Sequence, residues 1–159
     1  MNCPRCGSFA PAEAGRCPVC GKESPAGAVG AGVLTPPVPV STPEAYGWVD
    51  EARSSGGRRG AVALDLDALS TWGDIGRMAG NDFESVVFGR HPAVRAAFEA
   101  LVGTRPLACR MSGSGSAIFA IYRSERDQED AQMMLGRKHG TLTPVRTLSS
   151  PASIPTVVA

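Results

Sequence analysis

The sequence predicts an α+β domain on a βαββαβ plan, preceded by a small metal-bound knuckle. Three observations carry this. Two short apolar runs, Leu107 to Met111 and Ala117 to Tyr122, flank a loop of small residues, Ser112-Gly113-Ser114-Gly115-Ser116. Stretches with helix-start signals and apolar stripes lie on both sides of that pair. Near the N-terminus stand Cys3-Pro4-Arg5-Cys6-Gly7 and Cys17-Pro18-Val19-Cys20-Gly21.

The length of 159 residues suits one modest domain with an appendage. A charged fraction of 19% and a net charge of +1 give neither the basic field that nucleic acid attracts nor an acidic tail. No apolar run reaches the roughly 18 residues of a membrane span. The N-terminus lacks the basic and apolar regions of a secretion signal. With five cysteines, this points to thiol or metal chemistry in a reducing cytoplasm rather than to disulfides.

Each Cys-x-x-Cys pair presents two sulfurs from one tight turn, and structural zinc takes four such ligands in a tetrahedron. Gly7 and Gly21 suit the left-handed turn that completes each knuckle. Cys3, Cys6, Cys17 and Cys20 are therefore predicted to hold structural zinc as a zinc ribbon over residues 1–21. The redox alternative lacks the βαβ surroundings it needs. All four ligand places are then filled, which leaves no open position for catalysis. Metal binding would supply the folding energy that so short a segment cannot draw from a core. Residues 22–31, small and proline-broken, read as a flexible linker. The main domain is expected over 32–148 and a frayed tail over 149–159.

In chain order, Val33 to Val40 is a short extended run whose prolines sit at a sheet edge or just past a strand end. Thr42 is the expected N-cap of a helix with Pro43 at its first position and Glu44 at the positive end of the dipole. Ala45, Val49 and Ala52 carry its buried face to about Arg53. Ser54 to Gly60 is a polar loop, and Leu64, Leu66 and Leu69 mark a helical turn leading to Trp72. Asn81 or Asp82 caps the next helix, with Val86 and Val87 inward. His91-Pro92 opens another, striped by Val94, Ala97, Phe98 and Leu101 and ended by Gly103. Leu107, Cys109 and Met111 alternate as in a half-buried strand, whereas Ala117 to Tyr122 is apolar on both faces. Ser124 with Asp127 resembles a capping box, and Ala131, Met134 and Leu135 give the following helix its inward face. Gly140 is expected to stop it before a last strand from Thr141 to Leu148. This order is ferredoxin-like, with extra helices before the central hairpin.

In the hairpin loop, Gly113 and Gly115 take positive φ without steric cost. The loop is then either a plain glycine turn or a nest of amides that binds an anion.

Three ordered stretches, Pro36 to Tyr46, Gly80 to Glu84 running on to His91-Pro92, and Arg110 to Phe119, together resemble the C-terminal half of the diphosphocytidyl-methylerythritol kinases of the GHMP kinase superfamily. The resemblance spans about residues 31 to 148. It implies a GHMP-kinase C-terminal domain and phosphoryl transfer from ATP to a hydroxyl of a cytidine-diphosphate sugar alcohol in non-mevalonate isoprenoid synthesis. It further implies that Ser112, Gly113, Ser114 and Gly115 support the phosphate loop. Thr42, Pro43 and Tyr46 would line the substrate groove, with the aromatic ring near the cytosine. Asn81 and Asp82 match the family's Asn-Asp, read mainly as a helix cap. The residues themselves leave Tyr46 open between groove and core, and read Cys109 as a small core residue and His91 as a helix-leading polar residue.

Phosphoryl transfer needs donors aimed at the phosphates, a metal, and groups at the reacting hydroxyl. The family's long glycine- and serine-rich loop, early lysine and mid-chain aspartate have no matching positions here, and Asp65 and Asp67 lie in the wrong segment to replace them. No catalytic residue is therefore assigned. The expectation is a truncated or rearranged kinase homologue, inactive alone, that uses ATP and Mg only if another chain supplies the ATP-binding half. The alternative is a zinc-ribbon adaptor without catalysis, its protein partner held by the ribbon or by the exposed face of the domain. A third reading is that the gene start is misplaced or fragments are joined, which the DNA upstream would reveal by encoding the missing phosphate-loop half.

Overall fold

The computed structural model describes residues 30–54 and 72–146. Cys3, Cys6, Cys17 and Cys20, expected to hold zinc, most of the expected linker, Leu64, Leu66, Leu69 and the expected tail lie outside these residues.

The described chain runs β1 (Ala31–Thr35), α1 (Thr42–Ser54), α2 (Trp72–Met78), α3 (Asp82–Arg90), α4 (Pro92–Gly103), β2 (Ala108–Met111), β3 (Ile118–Ile121), α5 (Glu125–Leu135) and β4 (Thr141–Val145). The strands form one sheet in the order β2-β3-β1-β4, with every neighbouring pair antiparallel. This is the strand order of the expected βαββαβ plan, with three extra helices in its first crossover.

Register decides the two faces. Leu34 pairs with Ile118 on one side and Leu142 on the other, Met111 pairs with Ile118, and Cys109 pairs with Ala120. Period-two alternation puts these residues on one face. There they pack with Ala45 and Val49 of α1, Val86 and Val87 of α3, Val94, Ala97 and Leu101 of α4, and Ala131 and Leu135 of α5. Leu34, Leu101 and Ile118 are fully buried, and full burial of such a side chain stabilises by roughly 1.5–3 kcal/mol. Ala31, Ala108, Phe119 and Ile121 form a smaller cluster on the other face. There α2 lies against β2, close enough that a Cβ on Gly76 would meet the Leu107 carbonyl at 2.7 Å.

Most predicted helix signals stand. Asn81 caps α3, its side chain accepting from the Phe83 amide, and Val86 and Val87 are buried. Pro92 opens α4 beside His91, and Ser124 caps α5 by accepting from the Asp127 amide.

Five details differ. Ala52, expected on the inward face of α1, is exposed, and only Ala45 and Val49 of that stripe are buried. Ser41, not Thr42, caps α1: its carbonyl takes the Ala45 amide at 2.9 Å and its hydroxyl faces the Glu44 amide at 3.5 Å. Gly103 lies inside the last turn of α4, and Arg105 takes the positive φ beyond it. Met134 is 72% exposed. The inward stripe of α5 is Gln128, Ala131 and Leu135, and one residue back from Leu135 is a turn of about 100° around the helix. Finally, α5 ends at Leu135 with Gly136 at φ 55°, well before Gly140. Gly140, just before β4, has a different reason to be glycine, because a Cβ there would collide with the Thr35 carbonyl oxygen at the end of β1.

Candidate functional site

The β2–β3 loop is closed by the Ser112 amide donating to the Ala117 carbonyl at 2.8 Å and the Gly115 amide donating to the Ser112 carbonyl at 3.0 Å. Gly113 at φ 54° and Gly115 at φ 87° adopt the left-handed conformations expected of them. Among the described residues, the amides of Gly113 and Ser114 find no acceptor.

Sequence-distant elements hold this loop in place. From the start of α3, the Asn81 side-chain amide donates to the Met111 carbonyl and to the Gly113 carbonyl, both at 2.8 Å. One turn on, the Glu84 carboxylate accepts the Met111 amide at 2.9 Å. From the start of α1, the Thr42 and Ser114 hydroxyls share a hydrogen bond of 2.9 Å. The displaced cap explains this last contact. With Ser41 capping α1, the Thr42 hydroxyl is available to the loop.

Beside the loop lies an open cleft of about 570 Å³, lined among others by Tyr46, Arg53, Phe83, Arg110 and Gly113. Tyr46 is 58% exposed, so its ring is not a core residue. It meets Phe83 edge-on at 5.0 Å, an aromatic wall along one side of the cleft. Arg53 pairs with Asp82 at 3.0 Å across α1 and α3. Such an exposed pair contributes little stability, although it joins the two helix surfaces at the mouth of the cleft.

Two residues that look reactive have structural duties. The Arg110 guanidinium donates to the carbonyls of Ala79, Cys109 and Gly76 at 2.7, 3.0 and 3.1 Å, stitching the end of α2 to β2. Cys109 is buried in the core as expected. Burial pushes its thiol from 9.0 up to about 12, the nearby Glu84 carboxylate adds to the shift, and Arg110 opposes it. A thiol so poor in thiolate is no nucleophile. His91 stands at the start of α4 with its ring 5.7 Å from that of Trp48. No group of three or more His, Cys, Asp or Glu able to hold a metal occurs among the described residues.

The structure thus brings Thr42 and Ser114 into contact and places Tyr46, Ser112 and Gly113 on the cleft. Pro43 lies exposed in the first turn of α1 and is not part of the cleft lining. Arg53, Phe83 and Glu84 were not singled out from sequence. Phe83 and Glu84 directly follow the Asn-Asp motif, so their sequence position was the available signal. Arg53 carried none.

The fold and the glycine loop define a class, and residues 65–141 match the family profile described as GHMP kinases C terminal. Over these residues the chain is similar to the C-terminal domain of the GHMP kinases. It is homologous over this part to 4-diphosphocytidyl-2-C-methyl-D-erythritol kinases. The chain is 39% identical over 112 residues to that kinase from Nitratidesulfovibrio vulgaris (strain Hildenborough), covering 66% of this chain and 37% of the relative. It is 37% identical over 92 residues to the Symbiobacterium thermophilum kinase, covering 56% and 32%. The chain spans about a third of the length of these curated relatives. A crystal structure of 4-(cytidine 5'-diphospho)-2C-methyl-D-erythritol kinase superposes with a TM-score of 0.56 at 23% identity, over 73% of this chain and 41% of the other, which supports the fold.

Proposed function

We propose that this domain forms one wall of a kinase site for a cytidine-diphosphate sugar alcohol, with 4-diphosphocytidyl-2-C-methyl-D-erythritol as the substrate its relatives suggest. The observation that carries this is the convergence of α1, α3 and the β2–β3 loop beside a cleft that presents the Tyr46 ring. Tyr46 faces the cytosine. Thr42 and the loop lie toward the diphosphate, where unpaired amides favour negative charge. The loop offers donors but no cluster of acids, so these residues fit phosphate and not Mg. The ATP-binding domain, on whichever polypeptide carries it, is the part that holds ATP with Mg. Mg bound with ATP would neutralise the charge on the transferring phosphoryl group.

The test is calorimetric titration of the full chain with cytidine diphosphate. Tyr46→Ala is expected to weaken binding about tenfold, near the 1.4 kcal/mol of a lost ring contact. Because the ring is exposed, thermal stability should stay nearly unchanged. Absence of binding by the unaltered protein, or equal affinity in the variant, overturns the reading. With ATP, Mg and the substrate, the 159-residue chain alone is expected to be inactive, and turnover is expected once the N-terminal half of a relative is added.

The four N-terminal cysteines favour a second element, a structural zinc ribbon that docks a protein partner. Protein purified without chelator is expected to contain one zinc per chain, and Cys6→Ser to lose it. A zinc content near zero removes the ribbon.

A further inference from the structure

Asn81 spends its side chain on more than a helix cap. Capping α3 needs only its Oδ1, which accepts the Phe83 amide at 2.9 Å, and an aspartate would serve equally well. The two N–H groups of the same amide instead reach 30 and 32 residues away, to the carbonyls of Met111 and Gly113.

Those carbonyls bracket Ser112, the first loop residue. Each belongs to a planar trans peptide, in which C=O and N–H point in opposite directions. Holding the Met111 carbonyl turns the Ser112 amide away from Asn81, and that amide closes the loop on Ala117. Holding the Gly113 carbonyl likewise turns the Ser114 amide away from Asn81, and that amide has no acceptor among the described residues. Thr42 holds the Ser114 hydroxyl, which limits rotation about the same residue.

We propose that Asn81 is the positioning residue of the 112–116 loop, aiming the Ser114 amide outward as an anion donor, with Glu84 as a second anchor on the Met111 amide. That the anion is the diphosphate of a cytidine nucleotide rests on the function proposed above. Asn81 need not touch the ligand. It acts by preventing the Gly113–Ser114 peptide from flipping, a motion that glycine at positive φ otherwise leaves open.

Two variants separate this role from capping. Asn81→Asp and Asn81→Ser both keep a cap acceptor, and both remove the two donors. Serine does so without placing a carboxylate against the two carbonyls. In the full chain, amide hydrogen exchange by NMR is expected to speed up about tenfold or more at Ser112 and Gly115 in either variant, as local opening becomes easier. Exchange in the first two turns of α3 should stay within about twofold of the parent. Unchanged exchange at Ser112 and Gly115 in Asn81→Ser, or faster exchange confined to α3, overturns the positioning role and leaves Asn81 a cap. This arm needs no ligand, so it stands even if the proposed kinase site fails.

Titration with cytidine diphosphate and with plain cytidine tests the link to phosphate. Asn81→Ser is expected to weaken the diphosphate about tenfold while cytidine changes less than about twofold. Equal losses for both ligands overturn the assignment of the Ser114 amide to phosphate. No binding of either ligand to the unaltered protein overturns the proposed function, while the exchange result still decides the role of Asn81.

Discussion

The two glycine-containing turns of the sheet are built on different principles. The β2–β3 loop is held by Asn81, Glu84 and Thr42, whose contacts span 27 to 72 residues of sequence. At the turn from α5 to β4, the hydrogen bonds of the glycines are local: the Gly136 amide donates to Gln132 and the Gly140 amide to Arg137. A chain connection needs only local bonds. Gathering side chains from the starts of two helices around one loop costs conformational entropy, and it fits a loop whose shape must be held for a ligand. The α5–β4 turn is scaffold, made tight by the approach of Gly140 to β1.

Paired alanine substitutions would break this contrast most sharply. Gly140→Ala, with its Cβ driven against the Thr35 backbone and φ at 125°, is expected to destabilise by about 3 kcal/mol or more in chemical denaturation. Gly113→Ala, also at positive φ but facing open space, should lose only about 1–2 kcal/mol. In function the order reverses. Folded Gly140→Ala should keep its affinity for cytidine diphosphate, and Gly113→Ala should lose much of it. If Gly140→Ala weakens binding more than Gly113→Ala does, the division into scaffold turn and ligand loop is wrong.

Alkaline pH should produce a more gradual effect on the loop side, through Cys109 on β2. The folded thiol keeps its proton up to about 12, whereas an unfolded one ionises near 9.0. The folded state therefore binds more protons above that lower value. Stability should be flat below about pH 9 and fall by up to about 1.4 kcal/mol per pH unit as pH rises toward 12. Tyr122, also shifted upward by burial, adds to the fall at the upper end. Urea denaturation across this range should show a clearly shallower slope in Cys109→Ala. An identical slope would mean that the thiol is not desolvated as described.

Much of this architecture was legible beforehand. The Ile118-Phe119-Ala120-Ile121 run, Asn81 before an apolar pair, and Pro92 after a polar residue are local signals, and local energetics place them where the chain alone predicts. The errors fell where two local answers were nearly equal in energy. Ser41 and Thr42 are both good caps, and tertiary contact with Ser114 favours the arrangement that frees Thr42. Met134 and Leu135 are both apolar, but the angle at which α5 meets the sheet buries only Leu135. Arg53 was unreadable as part of the cleft, because only the packing of α1 on α3 brings it there.

By itself, then, the sequence determined the βαββαβ order and the positive-φ glycines at Gly113 and Gly115, because periodicity and turn chemistry are properties of neighbouring residues. Only the tertiary structure decided that Asn81, a predicted cap, also grips two carbonyls of a loop some thirty residues away. Side-chain donors have no sequence-local reason to choose those partners. Their choice follows from the burial of Val86 and Val87, which docks α3 in the core and carries its first turn to the end of β2.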